Sequence, residues 1–213
     1  MDNDGDMPRN TNDGLSLTVE AVLDAAGARS VEDQCYIERI RRYLGLFVSA
    51  MLERGDFRDV VAAWDLDLFL LSAHLHNAGN TSVADYILHE PEELPDEEFE
   101  DIINHVESGL QAIRLLTGAP EGGQMLRHAE MLIGNHHEKW DGSGYPRGLK
   151  GKRIPLQGRI MAIVDVYDAL TTGRPQRRAK THEEAVEAIR GGSGKQFDPE
   201  LVEIFLACEN EFK

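Results

Sequence analysis

At positions 136–146 the chain reads His136-His137-Glu138-Lys139-Trp140-Asp141-Gly142-Ser143-Gly144-Tyr145-Pro146, which joins candidate metal ligands to a loop. Two adjacent imidazoles are potential ligands for a transition metal. The glycines and the proline that follow cannot continue a helix, so the backbone is expected to leave the helix and expose its polar groups. This stretch therefore predicts a metal site beside an anion-binding loop.

Composition indicates one soluble globular domain. The 213 residues are 41% hydrophobic and 28% charged, and a chain of this length can bury a sizeable core. Cys35 and Cys208 are too few and too far apart for a disulfide framework or a thiolate zinc site. We expect both sulfurs to fill the core and the protein to occupy a reducing compartment.

No membrane span is expected. The apolar run at residues 66–75 is interrupted by Asp67 and Ser72 and falls short of the ~20 residues that a spanning helix needs. The N-terminus is acidic rather than basic and apolar, so it does not resemble a signal peptide. These features predict a cytoplasmic location.

Charge is distributed unevenly. The net charge of −16 argues against a nucleic-acid polymer as partner, because such partners favour a basic surface. Between Lys139 and Lys180, however, ten Lys or Arg residues stand against three acidic ones. This basic segment favours a small anionic ligand held locally. The alternative is an ordinary solvated loop.

Helical periodicity dominates the chain and predicts an all-α fold. Residues 1–14 are polar and acidic, and we expect them to be a disordered tail or the remnant of a linker. Residues 15–213 are expected to form a single helical domain. The predicted helices cover residues 31–54, 57–76, 96–117, 124–137 and 160–171, with later helices beginning at a capping box at Thr181 and at Asp198-Pro199.

Several histidines lie at positions that packing alone does not explain. His76, His105 and the His136-His137 pair fall at or within predicted helices, and Asp165 lies inside an apolar run where an unpaired carboxylate is costly to bury. We expect Asp165 to have a cationic partner. Imidazole and carboxylate ligands from separate helices commonly hold iron, manganese or zinc inside a bundle. Each histidine alone is also compatible with a hydrogen-bonded core or surface residue.

Taken together, these motifs resemble the HD-GYP family of bacterial cyclic-di-GMP phosphodiesterases. The resemblance rests on residues 135–151, Ile154-Pro155-Leu156, the Val164–Thr171 segment and Gln196-Phe197-Asp198-Pro199. It implies an all-helical domain of the HD superfamily with a Gly-Tyr-Pro loop, which binds two or three iron or manganese ions. It also implies hydrolysis of a cyclic dinucleotide by a metal-activated water.

The resemblance implies roles for individual residues. His76 and Asp165 are the implied catalytic residues, and Arg174 and Arg177 are expected to hold the phosphates. Tyr145 and its loop would lie beside the nucleotide or contact a signalling-protein partner. The implied metal ligands are Glu32, His76, His105, His136, His137 and Asp165.

Three positions depart from the family pattern. Asn77 replaces the aspartate of the His-Asp pair, and a neutral carboxamide bridges two cations poorly. Asn80 replaces a lysine, and Tyr36 replaces a histidine four residues after Glu32. A phenol holds its proton at neutral pH and is a much weaker ligand than an imidazole. We therefore expect one divalent ion, iron or manganese, or a weakened pair.

Three functional hypotheses remain open from the sequence. The first is a phosphodiesterase with weak activity on cyclic-di-GMP or another cyclic dinucleotide. The second is a catalytically inactive module that binds a cyclic dinucleotide or docks a signalling partner. The third is a helical domain whose histidines only form hydrogen bonds in the core.

Overall fold

The computed structural model describes residues 31–75, 106–111, 113–114, 123–172 and 178–213, without the side chains of residues 31–34 and 74. Among these residues, positions 106–111 and 113–114 are α-helical. Short 3₁₀ turns lie at Ala73–Leu75, Gly151–Arg153 and Glu209–Phe212. The α-helices are α1 (Val31–Arg54), α2 (Arg58–Val61), α3 (Leu66–Ser72), α4 (Gly123–Ile133), α5 (Leu156–Thr172), α6 (His182–Gly191) and α7 (Pro199–Cys208).

Helix α1 forms where the apolar residues recur every three or four positions, and its bounds match the predicted ones. Ile40, Leu44, Phe47 and Met51 are fully buried along this stripe. Gly55 follows the helix with φ 79°, and its amide donates to the Leu52 carbonyl oxygen. A glycine adopts this left-handed conformation without steric cost, so the helix ends here.

The prediction of one continuous helix over residues 57–76 is wrong. Phe57 has a left-handed backbone with φ 55°, and Asp65 accepts a hydrogen bond from the Leu68 amide as the N-cap of α3. These two positions divide the segment into α2, α3 and a 3₁₀ turn. Val61 of α2 and Phe69 of α3 are both buried in the core. The apolar pattern therefore continues from α2 to α3 and does not reveal the break between them.

Helix α5 lies at the centre of the described helices and packs against α1, α4, α6 and α7. It starts earlier than predicted, at Leu156, and most of its residues are buried. An apolar surface on nearly all sides is typical of a central helix. Aromatic rings join it to its neighbours: Tyr167 contacts Tyr43 of α1, Phe205 of α7 and Phe212 edge to face.

Both predicted caps are confirmed. The Thr181 hydroxyl accepts from the Glu184 amide while the Glu184 carboxylate accepts from the Thr181 amide, which completes a capping box for α6. The Asp198 carboxylate accepts from the Glu200 amide and Pro199 occupies the first turn of α7.

The all-α fold class is confirmed, since the described residues contain no strand beyond an isolated bridge between Ser193 and Phe197. No helix in the described ranges has both the length and the apolar character to cross a membrane. Cys208 is buried as expected, but Cys35 is exposed, so its prediction as core filler is wrong. The proposed tail at residues 1–14 lies outside the described residues.

Candidate metal and nucleotide site

The turn that carries the two histidines begins where α4 ends, at Ile133. The Asn135 side-chain amide donates to the Met131 carbonyl oxygen at 2.8 Å, whereas the Asn135 backbone amide donates to Leu132. The Asn135 side chain thus occupies the Met131 carbonyl oxygen, which would accept from the Asn135 backbone amide if the helix continued. The prediction that helix extends to residue 137 is therefore wrong, because residues 134–137 form turns.

His136 is buried, and its backbone contacts decide which ring nitrogen carries the hydrogen. Its Nδ1 lies 3.0 Å from the carbonyl oxygens of both Leu132 and Ile133, which can only accept, so Nδ1 carries the hydrogen. The lone pair is then on Nε2. Burial lowers the pKa of His136, against the opposing influence of the Asp165 carboxylate, and keeps the ring neutral. A neutral imidazole with one oriented nitrogen fits a divalent transition metal.

His137 and Tyr145 form a stacked pair beside His136. The ring centroids of His137 and Tyr145 are 4.7 Å apart with 21° between the planes, and the His136 and His137 centroids are 3.9 Å apart. Tyr145 is buried, and burial followed by the negative charge of Asp165 raises its pKa. The phenol therefore stays protonated, and the aromatic face covers one side of the histidine pair.

Asp165 reaches this region from α5. Its Oδ1 accepts a hydrogen bond from the Tyr36 hydroxyl of α1 at 2.7 Å. A phenol thus supplies one hydrogen bond to this carboxylate, and the cationic partner that we expected stays a prediction. Tyr36, predicted to be a poor replacement for a ligand, instead holds a predicted ligand.

A buried carboxylate braces the Gly-Tyr-Pro loop. Glu138 accepts from the Arg147 amide at 3.0 Å and from the Leu149 amide at 2.8 Å. Gly144 lies against the backbone of residues 137–139 so closely that an added Cβ has no space. The Tyr145-Pro146 peptide bond is cis. Backbone contacts and one carboxylate therefore fix the loop next to the histidines.

The histidine turn is also held from the side of α5. The Arg147 guanidinium donates to the Asn135 side-chain oxygen and to the Gly134 carbonyl oxygen. Gly158 of α5 faces Asn135, and a Cβ at position 158 would collide with the Asn135 Cβ. Close approach of α5 to the turn brings Asp165 and His136 to the same region of the domain.

A second anchor joins the loop to the segment before α7. The Trp140 and Asp141 amides donate to the Gln196 and Lys195 carbonyl oxygens at 3.1 and 2.8 Å. Arg159 lies 5.9 Å from the Trp140 ring centroid and pairs with the buried Asp198 carboxylate. The loop and the Gln196-Phe197-Asp198-Pro199 segment, which are distant in the sequence, are therefore in contact in the fold.

Sequence reasoning missed the polar residues that support the site. These are Glu138, Asn135, Arg147 and Arg159, together with the Arg39–Asp168 ion pair between α1 and α5. Glu138 and Arg147 stood within or next to the quoted motif, but their backbone partners could not be known. An acidic residue inside an otherwise apolar helix was the available signal for Asp168.

The remaining predicted site residues lie outside the described residues. They are His76, His105, Arg174, Arg177, the side chain of Glu32, and the substituted positions Asn77 and Asn80. Within the ranges that the structure describes, no three His, Cys, Asp or Glu side chains gather into a metal-holding group. His136, His137 and Asp165 are therefore the described part of the predicted ligand set.

Comparison with protein families decides the relationship of this chain. A model of the HD domain matches residues 39–201, which include most of α1 and all of the histidine turn, the Gly-Tyr-Pro loop and α5. The chain belongs to the HD domain family. This assignment confirms the predicted family and agrees with the all-helical fold.

Curated relatives place this HD domain beside cyclic-dinucleotide phosphodiesterases. A cyclic di-GMP phosphodiesterase of Vibrio cholerae is 37% identical over 198 residues, covering 93% of this chain and 39% of the relative. A 3'3'-cGAMP-specific phosphodiesterase of the same organism is 34% identical over 90% of this chain and 34% of the relative. The HD domain thus spans well under half the length of these two relatives. Their similarity supports the predicted HD-GYP type.

A solved structure agrees at the level of the fold. The crystal structure of a cyclic GMP-AMP specific phosphodiesterase from Vibrio cholerae matches with a TM-score of 0.55 and 22% identity, over 82% of this chain and 44% of that chain. At this identity the match supports the helical architecture alone.

Proposed function

We propose that this HD domain is a metal-dependent phosphodiesterase for a cyclic dinucleotide, with cyclic-di-GMP as the first substrate to test. The observation that carries the proposal is the buried His136, whose hydrogen-bonded Nδ1 leaves the lone pair on Nε2 and whose pKa is influenced by the Asp165 carboxylate. We propose iron or manganese as the ion, because imidazole and carboxylate ligands suit both.

The chain's residues have separate tasks in this proposal. His136, His137 and Asp165, with His76, His105 and Glu32, would hold one ion or a weakened pair. When bound, such an ion lowers the pKa of a water molecule and stabilises negative charge on a phosphoryl group. Tyr145 would cover the site and position the nucleotide. Asp165 and His76 would orient the reacting groups at the phosphodiester.

Positive charge near the loop supports an anionic substrate. Arg147, Lys150 and Arg153 are exposed, and they belong to the basic segment between Lys139 and Lys180. Exposed cations near a binding site attract a dianionic ligand. Arg174 and Arg177 would contact its phosphates. Relatives whose names specify cyclic di-GMP and cGAMP support this ligand class.

Asn77 favours a second candidate, a domain that binds the nucleotide or a signalling partner without hydrolysing it. A carboxamide carries no charge and supplies one oxygen acceptor, so it bridges two cations poorly. Asn80 also lacks the positive charge of lysine. A cytoplasmic location and a single domain over residues 15–213 belong to both candidates.

The proposal is tested by anaerobic purification, metal analysis and hydrolysis assays on cyclic-di-GMP and 3',3'-cGAMP. We expect bound iron or manganese, slow formation of linear product, and an increase in kcat on the order of tenfold or more for Asn77→Asp, about 1.4 kcal/mol of barrier. His136→Gln should lose most of the metal.

The matched control is His182→Gln, which changes a histidine outside the site. His182 Nδ1 contacts the Tyr167 hydroxyl at 2.8 Å, so this variant should retain the metal content of the wild type. Absence of both metal and nucleotide binding contradicts both candidates. Metal and nucleotide binding without product, followed by hydrolysis in Asn77→Asp, supports the second candidate over the first.

A further inference from the structure

Two polar contacts, three residues apart on each helix, connect α1 to α5. The Tyr36 hydroxyl donates to Asp165 Oδ1 at 2.7 Å. The Arg39 guanidinium donates through Nε to Asp168 Oδ1 at 2.6 Å and through a terminal nitrogen to Oδ2 at 3.1 Å. Residues three apart lie on one face of a helix, so both contacts belong to the same interface.

The Arg39–Asp168 contact fixes the register of that interface. A guanidinium and a carboxylate that share two hydrogen bonds have a defined mutual orientation. Asp168 is buried, with a relative exposure of 2%. Breaking the ion pair would leave a buried carboxylate without its partner, which is destabilising. The Arg39 guanidinium also lies 6.0 Å from the Tyr36 ring centroid. Tyr36 thus packs against the Arg39 side chain, and the ion pair with Asp168 fixes the position of that side chain.

Because Tyr36 is a phenol and not a cation, its hydrogen bond affects Asp165 differently from an ion pair. A cationic partner would neutralise the carboxylate and compete with a metal ion for it. A phenol that donates a hydrogen bond adds no positive charge beside Asp165 and still restricts the carboxylate's rotation. Hydrogen-bond partners of ligand carboxylates set ligand orientation and contribute to metal affinity.

We propose that Tyr36 is a positioning residue, whose hydroxyl orients the Asp165 carboxylate for metal binding and adds no positive charge beside it. This inference rests on the proposed function above. It assigns Tyr36, a departure from the family pattern, a task that a ligand histidine would not perform. Tyr36 keeps its proton as a donor to Asp165 and does not itself bind the ion.

Tyr36→Phe tests the proposal, because it removes only the hydroxyl. We expect Mn²⁺ affinity to fall on the order of tenfold, with kcat for cyclic-di-GMP reduced and KM changed less than about twofold. Isothermal titration with Mn²⁺ alone and steady-state kinetics measure these quantities. Circular dichroism melting should show the variant folded at the temperature of both measurements.

Tyr43→Phe is the matched control, since it makes the same substitution on the same helix. Tyr43 is buried and stacks on Phe212 with ring centroids 5.0 Å apart, while the phenol that donates to Asp165 is that of Tyr36. Its Mn²⁺ affinity should equal that of the wild type. Equal affinity in Tyr36→Phe overturns this inference alone. A wild-type chain that binds no Mn²⁺ overturns the proposed metal function and the inference with it.

Tyr36→Met repeats the comparison with a flexible apolar side chain. It removes the donor together with the ring, so the proposal requires at least as large a loss of Mn²⁺ affinity as in Tyr36→Phe. Wild-type affinity in a folded Tyr36→Met chain overturns it.

Discussion

Single residues prepare the candidate ligands before any ion or nucleotide binds. The two carbonyl oxygens on His136 Nδ1 decide which ring nitrogen has the lone pair, and the Tyr36 hydroxyl orients Asp165. Both contacts are made by groups of the chain itself. The geometry of the ligand atoms is therefore a property of the folded chain.

At the residue scale, Glu138→Gln tests the brace of the Gly-Tyr-Pro loop. The carboxylate uses one oxygen for the Arg147 amide and the other for the Leu149 amide. A glutamine has one oxygen, so one buried amide loses its acceptor at a cost of about 1–3 kcal/mol. Thermal unfolding should shift to lower temperature, and hydrogen exchange should accelerate at residues 147 and 149.

Glu187→Gln is the control for that change. Glu187 is exposed and pairs with Arg190 on the surface of α6. Surface pairs of this kind contribute little, so its melting temperature should stay near that of the wild type. If both variants melt alike, the loop does not depend on the Glu138 carboxylate.

Among the elements, α5 and the histidine turn depend on close approach. Gly158 allows the helix to touch Asn135, and a Cβ there would meet the Asn135 Cβ, carbonyl carbon and oxygen. Neither a backbone carbonyl nor a Cβ can move as freely as the end of a long side chain. The distance between α5 and the turn is thus set by one missing side chain.

Gly158→Ala should therefore destabilise the domain even though alanine is the better helix former. Overpacking costs about 1–3 kcal/mol, while helix propensity returns up to about 1 kcal/mol. Gly191→Ala, at the end of α6, has nothing within 4 Å of the added Cβ. Chemical denaturation should show lower stability for the first variant and equal or higher stability for the second. Equal effects at the two sites contradict the packing argument.

On the scale of the whole molecule, a buried histidine links stability to pH. His128 of α4 lies between the Trp64 and Phe69 rings, with centroids 5.3 Å away in each case. Its Nδ1 is 3.2 Å from the Gln157 side-chain nitrogen, and Nε2 has no hydrogen-bond partner in the described structure. Burial is the main cause that lowers the pKa of His128, followed by the positive charge of Arg127.

The direction of the pH effect follows from this lowered pKa. The unfolded chain takes up a proton at His128 near its ordinary value of 6.5, while the folded chain does so at lower pH. The stability contributed by neutral His128 is thus complete above pH 6.5 and is lost as the pH falls toward the folded pKa.

His128→Gln, which stays neutral at every pH, should reduce the loss of stability between pH 7 and pH 5. The slope of the unfolding free energy should decrease by as much as one proton, about 1.4 kcal/mol per pH unit. Urea denaturation across that range measures it. Parallel pH profiles for the variant and the wild type would show that His128 contributes nothing to the dependence.

Part of the fold could be predicted because it depends on neighbours in the sequence. The bounds of α1, the capping box at Thr181 and the cap at Asp198 are local features. The prediction of one continuous helix over residues 57–76 was wrong, because apolar residues keep a helical spacing on both sides of the break between α2 and α3. Exposure of Cys35 could not be anticipated either, since the residue type alone does not reveal where the packed surface ends.

The sequence alone determined the helical class, the family resemblance and the candidate ligands His136, His137 and Asp165, because these depend on residue type and spacing. Only the tertiary structure decided that Tyr36 donates to Asp165, that Glu138 braces the loop and that Arg39 pairs with Asp168. The Tyr36 and Arg39 contacts each join residues 129 positions apart. The physical reason is that hydrogen bonds between distant residues require two helices in a fixed register, and packing of the whole core sets that register.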